Sequence, residues 1–180
     1  WATILARPTD GELARKAAAG GGPGMPGAGE QKGFMDCTIF ALANAAQQPY
    51  GVVAARATAM LSSGDWRDDP ADHRDALATI KTKGLTGEEV VLLTEGLGRV
   101  EVVTSPVFEA SLKNGRAIMI NVAGKDGDLR NGHQVVLSKT FRQDGETWFE
   151  MMDSHKGPVR RLYLTAGELD VLLLESGIAF

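Results

Sequence analysis

The strongest constraint on the fold is a change of pattern near Gly98. Before it, segments rich in Ala, Leu and Glu are separated by Gly, Pro and Ser, which is typical of short helices. After it, the segments are rich in β-branched and aromatic residues, and the turn at Gln143-Asp144-Gly145 predicts a hairpin. Helices followed by a mostly antiparallel sheet define an α+β domain. The 180 residues are enough for one such domain with a continuous core and leave little room for two.

The same patterns predict individual elements. Helices are expected over residues 39–46, 52–61, 76–83, 86–94, 105–113 and 169–175. Strands are expected over residues 99–104, 117–122, 134–140, 147–153 and 160–163. The polar stretch 65–75 is expected to be a loop.

Residues 1–29 differ in composition from the rest of the chain. Residues 17–29 contain six Gly and two Pro, which disfavours regular structure. We therefore expect an appendage with at most one helical turn and a flexible linker over residues 1–29, and a catalytic domain over residues 30–180. Because the chain begins at Trp1 with no initiator Met, we also expect a processed fragment or an excised domain of a longer polypeptide.

Composition excludes several classes of function. The net charge of −4 offers no basic surface for nucleic acid or anionic lipid. The apolar runs are too short to cross a bilayer, so a soluble domain is expected, in a compartment that the sequence leaves open. A single cysteine excludes an internal disulfide and any zinc site built on several thiolates, and the three scattered histidines form no metal motif. No cofactor or metal is predicted.

Cys37 lies at the expected start of a helix, with Asp36 as its N-cap. Helix dipoles and unpaired N–H groups at this position favour thiolate over thiol. An isolated cysteine is more often a buried, unreactive residue. Cys37 alone therefore does not establish a nucleophile.

Two other segments supply the partners that a nucleophilic cysteine needs. His133 follows a polar turn and begins a strand, and Asp153 ends the next strand. In an antiparallel hairpin these ends meet, so Asp153 would orient the imidazole towards Cys37. The alternatives are a strand-capping histidine and a turn-initiating aspartate, and His155 is a competing imidazole within the turn.

Together these segments resemble papain-like cysteine peptidases, and most closely the C39 branch, whose members process bacteriocins by cutting after double glycine. Gln31, four further residues and Asp36-Cys37 match the active-site segment of that family. Residues 132–137 resemble its histidine strand, residues 111–120 the segment before it, and Met152-Asp153 its orienting aspartate.

The resemblance implies a papain-like fold in which a helix with the nucleophile at its N-terminus packs on the sheet. It also implies roles: Cys37 as nucleophile, His133 as general base and then acid, Asp153 as orienter, and Gln31 as an oxyanion donor. Thr38 stands where the family usually has Gly, and Ser154-His155-Lys156-Gly157 replaces its Pro-x-x-Gly. Substrate choice is therefore not carried over.

The expected function is hydrolysis of amide bonds in a protein or peptide substrate through a thioester. A small domain attached by a linker suits a bacterial toxin, effector or processing protein, secreted or delivered within a larger polypeptide. A glutamine deamidase or transglutaminase-type effector would use the same triad, and a catalytically silent binding module is the alternative from another class. The glycine run at residues 20–22 suggests either self-processing or a plain tether.

Overall fold

The structure is a computed structural model that describes residues 1–9, 11–23, 36–63, 67–98, 100–124, 132–154 and 160–180. Within these ranges the strands form one six-stranded sheet in the order β1-β6-β2-β3-β4-β5, and all paired strands are antiparallel. The strands are β1 (Glu101–Val103), β2 (Ile118–Val122), β3 (His133–Gln143), β4 (Glu146–Asp153), β5 (Arg160–Thr165) and β6 (Gly177–Ala179). With the helices below, this confirms the predicted α+β class.

The helices of the described ranges are α1 (Ala2–Leu5), α2 (Glu12–Ala19), α3 (Cys37–Ala45), α4 (Tyr50–Ser63), α5 (Pro70–Arg74), α6 (Ala76–Lys83), α7 (Gly87–Thr94), α8 (Phe108–Lys113) and α9 (Ala166–Leu172). Local capping explains where several of them begin. Thr86 and Thr165 each close a capping box at the start of α7 and α9.

Three predictions about the elements need correction. The expected loop 65–75 contains α5, because Asp69 accepts a hydrogen bond from the Ala71 N–H and Pro70 suits a first helical position. Helix α9 begins and ends three residues earlier than expected, since its capping box fixes Thr165 as the N-cap. Strand β6 was not predicted, because its three residues carry no periodic signal.

The sheet separates two hydrophobic clusters. On one face Met119, Val136 and Met152 pack with the side chains of α3, α4, α6 and α7. On the other face Ile118, Val135 and the neighbouring strands pack with residues of α1, α8 and α9. All nine residues of α3 are buried, because this helix contacts β2 and β3 on one side and α4 on another. A helix that is apolar all round belongs in such an interior position.

The N-terminal residues lie against the sheet. The indole N–H of Trp1 donates to the carbonyl oxygen of Ala123 at 2.7 Å, and Ile4 is buried. Arg7 forms a bidentate ion pair with Glu168 of α9. Ala17 of α2 is fully buried in a cluster with Phe141 and Tyr163. Residues 1–23 therefore differ from the expected appendage, whereas residues 24–29 of the expected linker lie outside the described ranges.

The glycine run 20–22 covers a part of β3 that β2 leaves unpaired. The pairing of β2 with β3 reaches only Leu137, and beyond it Gly21 forms an antiparallel bridge with Thr140. The N–H of Thr140 donates to the Gly21 carbonyl oxygen at 2.7 Å. A Cβ atom at Gly20 or Gly22 would collide with a carbonyl oxygen of β3. Glycine is needed here for close backbone approach.

Candidate active site

Cys37 is the first residue of α3 and is buried. Asp36 occupies the N-cap position, as predicted, but its side chain makes no capping hydrogen bond. Its Oδ2 instead accepts a hydrogen bond from the Tyr50 hydroxyl at 2.9 Å, and the Tyr50 ring stacks on Phe40. Burial, together with this contact to a carboxylate, raises the pKa of Tyr50. Asp36 therefore ties the start of α3, and with it Cys37, to the start of α4.

His133 and Asp153 meet where β3 begins and β4 ends. Val136 pairs with Met152, so the antiparallel register brings the two strand ends together. The Nε2 atom of His133 lies 2.6 Å from the Asp153 Oδ1, and the imidazole N–H donates to the carboxylate. The Asp153 side chain is 0% exposed and that of His133 is 11% exposed. The structure thus brings these two predicted site residues together.

Cys37 completes the arrangement from the helical side. His133 forms a hydrogen bond with its sulfur, as does the backbone N–H of Gln134. Because Asp153 occupies Nε2, the imidazole has Nδ1 left for the sulfur. We call Cys37, His133 and Asp153 the triad.

The electrostatics of the triad favour an ion pair. Burial opposes the charged thiolate, but the hydrogen bond and charge of His133 outweigh it, so the pKa of Cys37 lies below its ordinary value of 9.0. Burial also opposes the imidazolium, yet the hydrogen bonds to Asp153 and Cys37 raise the pKa of His133 from 6.5 to about 9. Thiolate and imidazolium therefore stabilise each other.

Arg160 is a site residue that the sequence did not reveal. It begins β5 opposite Asp153, and its Nη2 donates to the Asp153 Oδ2 at 2.7 Å. The expected strand over residues 160–163 carried part of this signal. The sequence did not predict which residues of β4 and β5 pair, because that register depends on the path of the chain between the two strands.

Cys37 lines a groove of about 560 Å³, whose other walls come from the α6–α7 region and from strands of the sheet. We call it the groove. Its aliphatic lining consists of Leu85, Val90, Val91, Val102, Met119 and Ile178. Its polar lining includes Asn121, Gln134 and Glu175. Lys83 also lines it, and its ammonium group binds Asp72 at 2.6 Å. The volume suits a ligand of peptide-fragment size.

Two other predicted positions lie outside the described residues. Gln31, the expected oxyanion donor, and His155, the competing imidazole, both fall in ranges that the structure does not describe. The remaining histidine, His73, hydrogen-bonds the backbone carbonyls of Leu61 and Arg67 and lies apart from the triad in the helical half.

The glycine run lies far from the triad. Gly21 pairs with Thr140, seven positions along β3 from His133, which corresponds to roughly 23 Å at about 3.3 Å per residue. Self-processing at residues 20–22 would require the N-terminal segment to leave β3. The arrangement favours the structural explanation of this run over a cleavage site.

Neither a metal centre nor a membrane span is found in the described ranges. No three His, Cys, Asp or Glu side chains there gather into a group that would hold a metal ion. The helices there are also too short or too polar to cross a bilayer.

Comparisons of the chain with known protein families, with curated proteins and with solved structures found no match. The chemical capability of the site therefore follows from its geometry. A cysteine thiolate beside an imidazolium, with a carboxylate orienting the ring, is equipped to attack a carbonyl carbon and to return a proton to the leaving group.

Proposed function

We propose that this chain is a cysteine hydrolase of papain-like, C39-like fold that cleaves amide bonds in a protein or peptide through a thioester on Cys37. The observation that carries the proposal is the hydrogen-bonded triad, whose Cys37 lines the groove. A buried helix with cysteine at its N-terminus, packed on an antiparallel sheet that carries the histidine and aspartate, is also the arrangement that the family resemblance implies.

In the first half of the reaction His133 holds the thiol proton and the sulfur attacks the carbonyl carbon of the substrate. The oxygen becomes negatively charged in the tetrahedral intermediate, where backbone N–H groups at the start of α3 and the side chain of Gln31 are the proposed donors. The C–N bond then breaks. The imidazolium gives its proton to the departing amine, which leaves a thioester on Cys37.

In the second half water attacks the thioester while His133 accepts one of its protons. Collapse of the intermediate breaks the C–S bond and releases the carboxylic acid, and the thiolate–imidazolium pair is restored. Asp153 transfers no proton. Its hydrogen bond to Nε2 keeps Nδ1 directed at the sulfur through both halves.

The groove is the proposed substrate site, because Cys37 lines it and an acyl group bonded to the sulfur would extend into it. Leu85, Val91 and Val102 offer apolar contacts along its walls. Lys83 is paired with Asp72, and Glu175 accepts a hydrogen bond from the Asn121 amide at 2.8 Å. A polypeptide segment with aliphatic side chains near the scissile bond fits this lining.

Alkylation of Cys37 by iodoacetamide tests the activated thiol without a known substrate. Since the chain has one cysteine, the modified site is unambiguous. Near pH 6 the protein should react about tenfold or more faster than an ordinary thiol, because thiolate is the reactive form. His133→Ala should abolish the excess rate, and the control His73→Ala should retain it. A rate no faster than that of a free thiol would identify a silent module.

Mass spectrometry of candidate protein substrates distinguishes the possible reactions. Scission of the chain, lost in Cys37→Ala, supports the peptidase. Conversion of a glutamine side chain to glutamate without scission would identify a deamidase that uses the same triad instead.

A further inference from the structure

Each carboxylate oxygen of Asp153 has a charged partner among the described residues. Oδ1 lies 2.6 Å from the His133 Nε2, and Oδ2 accepts a hydrogen bond from the Arg160 Nη2 at 2.7 Å. The side chain of Asp153 is 0% exposed, whereas that of Arg160 is 37% exposed. The carboxylate is thus enclosed, and the guanidinium connects it to the surface of the sheet.

The two partners differ in how constant their charge is. A buried carboxylate is costly unless it is paired and hydrogen-bonded. His133 cannot be a constant cationic partner, because it gains and loses a proton in each proposed half-reaction. The Arg160 side chain carries a guanidinium, which is a constant cation in proteins. It can therefore hold the carboxylate in place while the imidazole is neutral.

Arg160 also affects how strongly the imidazole holds its proton. Its positive charge lies on the far side of Asp153 from His133 and partly offsets the attraction of the carboxylate for an imidazolium. The imidazolium must remain acidic enough to protonate a leaving amine. A cation behind the carboxylate serves that requirement.

We propose that Arg160 is a positioning residue of this site. It fixes the Asp153 carboxylate and limits how far that carboxylate increases the proton affinity of the His133 imidazole. The inference rests on the proposed function only in that His133 exchanges a proton with Cys37. It assigns no contact between Arg160 and substrate.

The test is an NMR titration of the His133 imidazole in the wild-type protein and three variants. Arg160→Gln removes the charge and should move the midpoint of His133 upward by about one pH unit. Arg160→Lys retains the charge and should leave the midpoint near that of the wild type. The control is Arg161→Gln on the same strand. Arg161 pairs with Glu150 at 3.7 Å and is 52% exposed, so the midpoint should not move.

The inference is wrong if the titration midpoint of His133 moves no more in Arg160→Gln than in Arg161→Gln.

If Arg160→Gln does not fold, the double variant Asp153→Asn/Arg160→Gln decides. If the double variant folds, the pairing is supported, because the buried Asp153 carboxylate that Arg160→Gln leaves unpaired has been removed. If it does not fold, the inference is overturned and Arg160 has a purely structural role. The titration needs no substrate. An unreactive Cys37 would therefore overturn the proposed function, whereas an unmoved midpoint overturns only the role of Arg160.

Discussion

At the scale of single residues, Cys37 and His133 titrate as a coupled pair. The raised pKa of His133 means that its contribution to stability is complete below pH 6.5 and is lost as the pH rises towards about 9. The lowered pKa of Cys37 means the opposite: the thiolate contribution is complete above pH 9.0 and is lost as the pH falls through the lowered value. The two contributions therefore have opposite slopes between these limits.

This opposition predicts a comparison between the wild-type protein and Cys37→Ala. The free energy of unfolding of the wild type should change little between pH 6.5 and about 9. In Cys37→Ala the part of the His133 contribution that comes from Asp153 remains without its counterpart, so stability should fall as the pH rises above 6.5. Urea unfolding at several pH values measures both slopes. A wild-type slope as steep as that of the variant would mean that the folded protein keeps a neutral thiol.

The contact between Tyr50 and Asp36 predicts a stability effect next to the nucleophile. Tyr50→Phe removes a hydrogen bond of 2.9 Å to a fully buried carboxylate, so we expect the free energy of unfolding to fall by about 1–3 kcal/mol. Tyr163→Phe is the matched control, because its hydroxyl reaches Glu150 only at 3.4 Å and should matter less. Equal losses in urea unfolding would mean that the other contacts of Asp36 are enough to hold it.

At the scale of elements, β3 carries much of the organisation. Its first residue is His133, it pairs with β2 and β4, and its remaining edge receives the glycine run. The N-terminal segment is thus packed on the strand that carries the imidazole.

Alanine substitutions test the close packing of the glycine run against β3. Gly22 has a φ of +134°, and an added Cβ would collide with the Ser138 carbonyl oxygen. Gly22→Ala should therefore lower the free energy of unfolding by about 2 kcal/mol or more. In Gly51→Ala the new Cβ meets open space near the start of α4, so stability should be unchanged or slightly raised. A tolerated Gly22→Ala in thermal or urea unfolding would contradict the close approach to β3.

At the scale of the whole molecule, the groove combines parts that lie far apart in the chain. Cys37 comes from α3, Val91 from α7, Val102 from β1 and Ile178 from β6. Val91 and Val102 are 50% and 70% exposed. Exposed apolar surface is unfavourable in water, and a bound apolar chain would bury it.

Charged substitutions in the groove should separate substrate binding from chemistry. With a leucine-containing peptidyl chloromethyl ketone, Val91→Asp and Val102→Asp should each slow labelling of Cys37 by about tenfold. Their rate with iodoacetamide, which needs no groove, should be unchanged. Val171→Asp is the control, because this valine is 82% exposed and lies on α9 outside the groove. Equal slowing with both reagents would indicate a disturbed triad, and no slowing would place the substrate elsewhere.

Local sequence alone determined much of this protein. Helix α6 has the predicted bounds, and α7 lies within the predicted range, because caps and glycine stops act over a single turn. The β3–β4 hairpin follows from its turn residues, and the position of Cys37 at a helix start follows from the residues around it. The meeting of His133 and Asp153 was predictable for the same reason, since a hairpin fixes which strand ends are neighbours.

Only the tertiary structure decided the remaining features. It set Arg160 opposite Asp153, brought β6 beside β2, and seated residues 20–22 on the open edge of β3. In each of these pairings the relative position of the two segments depends on the tertiary fold. No local propensity or periodicity encodes such a pairing, because the free energy that stabilises it comes from burying surfaces that meet only once the sheet has formed.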